Sequence, residues 1–494
     1  MSSNTPAQPD HTDSTHHAQS TPNPAFTQLS SHSPQPEPQL SPIQAFVMAG
    51  CVVLIMGVTM IGFGWVPHLS LLLAICFLLL MGRLRGLSFT HLQSAMTDGV
   101  VSGSGAIYLF FFIGLMVAAL MMSGAIPTLM YFGFELISPR FYYISAFVLT
   151  SIIGIALGSS LTTVATLGVA FIGMSNAFDA NVAIAAGAVV SGAFFGDKMS
   201  PLSDTGTIAS SVVGIDLFEH LRNMMYTTVP AWIISVLLFW MLTGPMQIAN
   251  LGQVTVLQNQ LVASGLVHSY AVLPFVVLIV LAMFRVNAIY TIICTIISAL
   301  MITYIHSSPS IEQLGGYLFA GYAPASNLEL GEVGSMLTRG GIQSMFFTQT
   351  IVILALSLGG LLKKLGILPA LLAGVRDKLT TAGQAIFAAA MSALSINVLI
   401  GEQYLSILLS GTAFRPTFER LSLHPKNLSR TIEDAGTVIN PLVPWSVCGV
   451  FISQALEVPV LEYLPYAFFC YLSLLLTILF GFSGVTISRL DKQA

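Results

Sequence analysis

A short polar segment, GDKMSPLSDTG at residues 196–206, interrupts a long apolar stretch of this sequence. It contains three charged residues and a proline, whereas residues 183–195 before it and 208–213 after it are mostly small or apolar. Irregular backbone and ionisable side chains are costly in a bilayer core, and they persist there only where they line a cavity or have partners. The segment therefore predicts a helix that is broken at mid-membrane to form an ion site.

The composition identifies a polytopic membrane protein. Of the 494 residues, 55 % are hydrophobic and only 8 % are charged, whereas a soluble domain has about 25 % charged residues. Apolar runs of about 20 residues, long enough to cross a bilayer, recur from residue 42 to residue 485. Residues 1–41 are instead rich in Pro, Ser, Thr and Gln and contain no Lys or Arg. They are predicted to form a disordered N-terminal tail.

The polar segment has a counterpart in the second half of the chain, GTVINPLVPWSVCG at residues 436–449. Interrupted segments at matching places in two halves indicate the binding site of a transporter. We therefore predict a first membrane repeat at 42–245, an extracytoplasmic linker at 246–267, a second repeat at 268–488 and a C-terminal tail at 489–494. The aligned positions are Gly196 with Gly436, Ser200 with Asn440, Pro201 with Pro441, and Leu202 with Leu442.

The distribution of Lys and Arg predicts that the two repeats are inverted. Because cytoplasmic loops are rich in Lys and Arg, the loop that contains Arg83 and Arg85 is predicted to be cytoplasmic. The equivalent loop of the second half, about 307–338, has no Lys or Arg and is predicted to lie outside. Both termini are then cytoplasmic. The fold predicted is all-α, with two inverted repeats of about five transmembrane helices and one re-entrant hairpin each, and with discontinuous helices at mid-membrane. The hairpins, 141–174 and 380–413, would turn at Gly158 and Gly401; the alternative is a pair of long kinked helices.

The first polar segment supplies oxygen ligands of the kind that Na⁺ prefers, namely carboxylates, hydroxyls and freed carbonyls. Protons and Na⁺ compete for a buried carboxylate of this kind. Asp204 has no basic neighbour in the sequence and is the predicted functional carboxylate; the alternative is a helix cap. Asp197 is a further candidate, unless it and Lys198 only neutralise each other. The candidate Na⁺ ligands are Asp204, Ser200 and Ser203, and the wider first-repeat site adds Asp197, Thr205, Thr162 and Thr163.

The second repeat supplies Glu402 at its hairpin turn, Glu433 and Asp434 at the start of its broken helix, and Asn440 at the break. The adjacent acids point in different directions on a helix, so they are not expected to bind the same ion. Their alternative role is favourable placement at a helix N-terminus. Because the first break has Asp204 where the second has Pro444, the first is predicted to hold the cation.

These motifs resemble the signature of the NhaC-type Na⁺/H⁺ antiporters, within a wider superfamily of inverted-repeat ion transporters. The resemblance covers residues 187–224, 123–139, 156–174 and 433–449. It implies Na⁺/H⁺ exchange, a scaffold domain and a transport domain, and an ion at Asp204 and its hydroxyl neighbours. The sequence departs from the usual form at 205–207, where two threonines and an asparagine are common, and at 158–161, where a bulkier Ser-Trp-Gly is typical. Some relatives of this kind exchange organic acids, such as malate for lactate.

The function expected is secondary antiport of Na⁺ for H⁺ across the cytoplasmic (inner) membrane by alternating access. Na⁺ and H⁺ are the transported ions and no cofactor is expected. The partners expected are the lipid bilayer and, as one option, a second copy of the chain in a homodimer, but no nucleic acid. The first alternative is a Na⁺- or H⁺-coupled exchanger of a small organic acid or amino acid, with Lys198 as its cationic anchor. A channel is the second. An enzyme is not expected, because the HExxH, GxSxG and GxxxxGK[ST] motifs are absent.

Overall fold

The computed structural model describes residues 40–175, 178–242, 251–324, 330–376 and 378–490. Within these ranges the chain is helical, and the extended pairings are the two isolated bridges Tyr322–Arg339 and Leu423–Arg489. The helices are α1 (Pro42–Gly57), α2 (Pro67–Leu84), α3 (Phe89–Ser102), α4 (Ser104–Met122), α5 (Ala125–Leu136), α6 (Tyr142–Leu157), α7 (Ser160–Ser175), α8 (Val182–Met199), α9 (Asp204–Val213), α10 (Leu217–Leu242), α11 (Leu251–Ala263), α12 (Leu273–Met283), α13 (Ala288–His306), α14 (Ile311–Ala320), α15 (Gly331–Leu337), α16 (Ile342–Lys364), α17 (Ile367–Arg376), α18 (Ala382–Ile400), α19 (Gln403–Arg420), α20 (Pro425–Gly436), α21 (Val447–Leu456), α22 (Val460–Tyr463) and α23 (Phe468–Ser483).

Many of these helices are suited to a bilayer. Among the described residues, eight are long and apolar enough to cross a membrane, or up to eleven spans if each of three bent helix pairs counts as one. One of the bent pairs joins α20 to α21 across the second polar break, at an angle of 42°. The prediction of an all-α polytopic membrane protein is confirmed, while the inverted orientation of the repeats and the re-entrant path of the hairpins stay predictions.

Three of the predicted domain boundaries can be compared with the described helices. Helix α1 begins at Pro42, directly after the predicted tail, of which residues 1–39 lie outside the described part of the chain. The predicted linker at 246–267 is helical over Leu251–Ala263 (α11), and its first residues, 246–250, also lie outside the description. In the predicted C-terminal tail, residues 491–494 are not described, and the N–H of Leu490 donates to the carbonyl of Ser422 at 3.0 Å.

Both predicted hairpin turns contain a helix break at the expected glycine. Gly158 ends α6 with φ +65° and Gly401 ends α18 with φ +76°, a left-handed conformation that glycine adopts without steric cost. A polar residue follows each glycine and caps the next helix: Ser159 accepts from the N–H of Thr162, and Glu402 accepts from the N–H of Leu405. Helices α18 and α19, on either side of Gly401, pack against each other.

Replacing Gly158 by alanine is expected to lower the thermal stability of the protein. The left-handed backbone costs a residue with a Cβ about 1–2 kcal/mol, and the new methyl group would lie 2.6 Å from the Cβ atom of Leu202. Gly57→Ala is the matched control, because Gly57 has ordinary helical geometry and no neighbouring atom within 4 Å of the added Cβ. The measurement is the midpoint of thermal unfolding in detergent. Equal midpoints for the two variants would contradict this account of the turn.

The two polar breaks are built alike where the second helix begins. Ser203 is the N-cap of α9 and accepts from a backbone N–H at 3.5 Å; Ser446 is the N-cap of α21 and does the same at 2.9 Å. When the repeats are aligned by these caps, Asp204 corresponds to Val447 rather than to Pro444. The second break has a longer connection, which includes a 3₁₀ turn at Asn440–Leu442.

Candidate functional site

Asp197, in the last turn of α8, is a buried carboxylate surrounded by hydrogen-bond donors. The hydroxyl of Ser203 donates to Oδ1 at 2.6 Å. The N–H and the hydroxyl of Ser160 both donate to Oδ2, at 3.2 and 2.8 Å. Ser160 is the first residue of α7, and a helix N-terminus favours an anion. These donors provide Asp197 with partners, and the alternative in which it and Lys198 only neutralise each other is wrong.

A short chain of hydroxyl groups connects Asp197 to Glu433 of the second repeat. Ser203 Oγ, which donates to Asp197, lies 2.9 Å from Thr205 Oγ1. The hydroxyl of Thr205 donates to Glu433 Oε1 at 2.9 Å. Carboxylate and hydroxyl oxygens from both broken helices therefore meet in one buried cluster.

Glu433 lies in the last turn of α20 and is completely buried. Its second oxygen, Oε2, has no partner in hydrogen-bond geometry among the described residues, although Thr437 one turn further on is near enough to interact with it. The sequence reasoning that placed Glu433 and Asp434 at a helix start is wrong, because α20 begins at Pro425 and both acids lie at its C-terminal end. Negative charge is unfavourable there, so these carboxylates depend on partners from other helices.

The partners of Asp434 include Lys198. The ammonium of Lys198 forms an ion pair with Oδ1 of Asp434, and both side chains are completely buried. It also donates to Ser473 Oγ at 2.7 Å, while Asp434 Oδ2 accepts from Thr227 at 2.9 Å and from Thr477. The adjacent acids thus have different partners, and the ion pair connects α8, α10, α20 and α23.

Three further candidates use their polar atoms to hold the backbone. Ser200 Oγ accepts from the N–H of Leu202 at 3.1 Å and shapes the first break. Asn440 donates to Asn397 Oδ1 at 2.9 Å and accepts from the N–H of Cys448 at 3.1 Å. Glu402 caps α19 with a bond of 2.7 Å. Each of the three therefore has a structural contact at its break or turn.

The remaining threonine candidates lie after the first turn. Thr162 donates to Ser159 Oγ at 3.0 Å and lines a cavity, whereas Thr163 donates to the carbonyl of Ser159 at 2.8 Å and does not line it. Only Thr162 of this pair is therefore placed to meet a solute.

Asp204 differs from Asp197 and Glu433 in being exposed. It is the first residue of α9 rather than its cap, and its carboxylate has no hydrogen bond or ion pair among the described residues. Asp204 lines a cavity of about 440 Å³ that Asp197 and Thr205 also line. Its wall includes the exposed Arg285, between α12 and α13. We call this space the inner cavity.

Several residues of the site were not predicted. Ser160 lies within the expected break, but only the threonines after it were chosen as ligands. Ser473 and Thr477 are four residues apart on the otherwise apolar α23, which places both on one helix face. That spacing is the signal that could have identified them. Thr227 carries no comparable signal.

Comparison with known proteins agrees with this architecture. A sequence model of the Na⁺/H⁺ antiporter family matches residues 192–485. The Na⁺/H⁺ antiporter NhaC of Alkalihalophilus pseudofirmus is 39 % identical over 87 % of this chain and 92 % of its own length. The arginine/ornithine antiporter ArcD of Halobacterium salinarum is 32 % identical over 93 % of this chain and 95 % of its own. The malate-2H⁺/Na⁺-lactate antiporter of Bacillus subtilis is 30 % identical, over 84 % and 89 %.

These relatives are transporters rather than enzymes, and each is named as an antiporter. The matched region includes both polar breaks, the ion pair and the hydroxyl chain between Asp197 and Glu433. Together with the membrane-spanning helices, the matches show that this chain belongs to the Na⁺/H⁺ antiporter family.

Proposed function

We propose that this chain exchanges Na⁺ for H⁺ by alternating access, and that both ions use the oxygen atoms between Asp197 and Glu433. The observation that carries the proposal is a line of four oxygens: Asp197 Oδ1, Ser203 Oγ, Thr205 Oγ1 and Glu433 Oε1. Successive atoms in this line are 2.6, 2.9 and 2.9 Å apart.

Counting hydrogen atoms supports a site that holds one proton. Oxygen atoms at these separations need a hydrogen between them, so three contacts need three hydrogens. Ser203 and Thr205 supply one each, because a hydroxyl has a single hydrogen. A protonated carboxyl group at one end of the line supplies the third. The geometry therefore fits a pair of carboxyl groups that share one proton, as neighbouring carboxylates do.

Exchange follows when Na⁺ takes the place of that proton. With both carboxyl groups ionised, the lone pairs of the Ser203 and Thr205 hydroxyls face each other without a hydrogen between them. A cation is then attracted to the hydroxyl and carboxylate oxygens, which are the ligands that hard cations prefer. Na⁺ and the proton exclude each other because they need the same atoms, which is the condition for coupled antiport at this site.

The inner cavity supplies a route to these atoms. Asp204 on its wall attracts cations and, in this proposal, is the carboxylate that an ion meets first, while Asp197 lies deeper. By the positive-inside rule, Arg285 is predicted to face the cytoplasm. We therefore interpret the structure as an inward-open state, in the cytoplasmic membrane.

Transport by purified protein in liposomes with an internal pH dye tests this proposal. When NaCl is added outside the vesicles, Na⁺ should enter and protons should leave, whereas added choline chloride should move no protons. Vesicles with the Glu419→Gln variant are the control, because Glu419 is exposed and forms an ion pair with Arg415 away from the cavity. A pH signal that is equal for Na⁺ and choline would contradict the proposal.

The second candidate is exchange of a small organic acid or amino acid, and the size of the inner cavity favours it. A volume of about 440 Å³ exceeds what one Na⁺ needs, and the guanidinium of Arg285 on the wall matches a carboxylate. Lys198, the anchor suggested by the sequence, is already paired with Asp434. In the same vesicles, proton movement that requires malate, lactate, arginine or ornithine in addition to Na⁺ would support this candidate.

A further inference from the structure

A second cavity, of about 200 Å³, continues along the helices that line the inner cavity. On α4 the inner cavity reaches Leu109, and the second cavity begins at Ile113. On α7 the inner cavity reaches Thr162, and the second begins at Ala165. Because a helical turn has about 3.6 residues, roughly one turn separates the two spaces on each helix. We call the second space the outer cavity.

Each of the two cavities has an arginine in its wall, Arg285 in the inner one and Arg339 in the outer one. Arg285 lies just before α13 begins at Ala288. Helix α13 packs against α4 and has 19 residues, which gives a length of about 28 Å. The chain then leads through the short helices α14 and α15 to Arg339, which lines the outer cavity just before α16. A helix long enough to cross the membrane therefore lies between Arg285 and Arg339 in the chain.

Two stacked phenylalanine rings join α4, in the turn between Leu109 and Ile113, to α21. Phe110 of α4 follows Leu109, and Phe451 of α21 lines the outer cavity. Their ring centroids are 5.0 Å apart with an interplanar angle of 12°, and both side chains are completely buried. An apolar constriction of this kind blocks ions, because an ion would have to shed its water without gaining polar partners.

An ion pair lines the outer cavity. Arg339 Nη2 is 3.1 Å from Glu457 Oε2, and Nη1 donates to the carbonyl of Ala455 at 3.3 Å. Glu457 ends α21, the same helix that carries Phe451, and has a left-handed backbone with φ +59° that is uncommon outside glycine. Movement of α21 would therefore act on the ion pair and on the ring pair together.

We infer that the outer cavity is the outer half of the ion path and that the Phe110–Phe451 ring pair is the gate that closes it in this state. This inference rests on the proposed alternating access, but it concerns only the path that an ion would take through the protein. When α21 moves away from α4, the rings separate and the two cavities join at the level of Leu109 and Ile113. The gate thus couples movement of α21, which belongs to the second broken helix, to access from the side of Arg339.

Cysteine labelling tests the gate without any measurement of ion exchange. In a background that lacks the five native cysteines, Leu109→Cys reports on the inner cavity and Ser344→Cys on the outer one. An impermeant thiol reagent is applied to intact cells and to inside-out vesicles. With both phenylalanines present, the thiol introduced by Leu109→Cys should react mainly from the Arg285 side. Adding Phe451→Ala should raise its labelling rate from the opposite side about tenfold, because a buried aromatic contact that favours closure is lost.

Matched variants separate gating from general loosening of the structure. Phe414→Ala removes an equally buried ring elsewhere and should leave the labelling of Leu109→Cys unchanged. Phe451→Leu keeps an apolar side chain at the constriction and should have a smaller effect than alanine. If Phe451→Ala does not fold, Phe110→Ala removes the other ring of the pair. An unchanged rate from the opposite side in both ring variants would overturn the gate, whether or not the protein exchanges Na⁺.

Discussion

Replacing Asp197 by asparagine is expected to lower Na⁺-driven proton exchange at least about a hundredfold, the effect of losing roughly 3 kcal/mol of charge-assisted interaction. Asparagine has no ionisable proton, so it removes one end of the line of four oxygens that ends at Glu433. Its amide group would also face the N–H and hydroxyl donors of Ser160. The measurement is the initial rate of dye response in liposomes after a NaCl pulse.

Asp204→Asn is the matched control for Asp197→Asn. The same chemical change is made on the same broken segment, but at an exposed carboxylate without a hydrogen-bonded partner among the described residues. We expect a higher Na⁺ concentration for half-maximal exchange, with a rate at saturating Na⁺ within about tenfold of the unmodified protein. The reverse order, with Asp204→Asn inactive and Asp197→Asn active, would favour the sequence-based prediction of Asp204 as the central ligand.

Replacing Lys198 by methionine is expected to lower the free energy of unfolding by about 3–5 kcal/mol. It leaves the completely buried Asp434 without its ion-pair partner, and among the described residues the hydroxyls of Thr227 and Thr477 remain as its hydrogen-bond donors. The free energy of unfolding, or the midpoint of thermal unfolding in detergent, measures this loss.

Two comparisons test whether charge pairing explains that loss. The double variant Lys198→Met, Asp434→Asn should recover most of the stability, because removing both charges avoids an uncompensated one. Arg415→Met breaks the exposed pair with Glu419 and should cost less than about 1 kcal/mol. If Lys198→Met is no less stable than Arg415→Met, the buried pair does not hold these helices together.

The sequence predicted the features that depend on neighbouring residues. The polar segments at 196–206 and 436–449 are breaks, and Gly158 and Gly401 end helices, because short-range rules on apolar runs, proline and glycine decide such positions. The overall composition, with few charged residues and many apolar runs, was enough to predict a membrane protein.

The same reasoning could not predict contacts between residues that are far apart in the sequence. Lys198 was compared with its neighbour Asp197, whereas its partner Asp434 lies in the other half of the chain. Asp204 was favoured because it had no basic neighbour, whereas in the structure Asp204 is exposed and Asp197 is buried against Ser160 of α7. The boundaries of α20 were also needed before Glu433 could be placed at its C-terminal end.

The central claim is that Na⁺ and a proton compete for the oxygens between Asp197 and Glu433. Binding of radioactive Na⁺ to purified protein in weakly buffered detergent solution, with simultaneous measurement of released protons, tests it directly. The account predicts one proton released for each Na⁺ bound at this site, and loss of both signals in Asp197→Asn and in Glu433→Gln. Na⁺ binding without proton release, or binding that is unchanged in both variants, would contradict it.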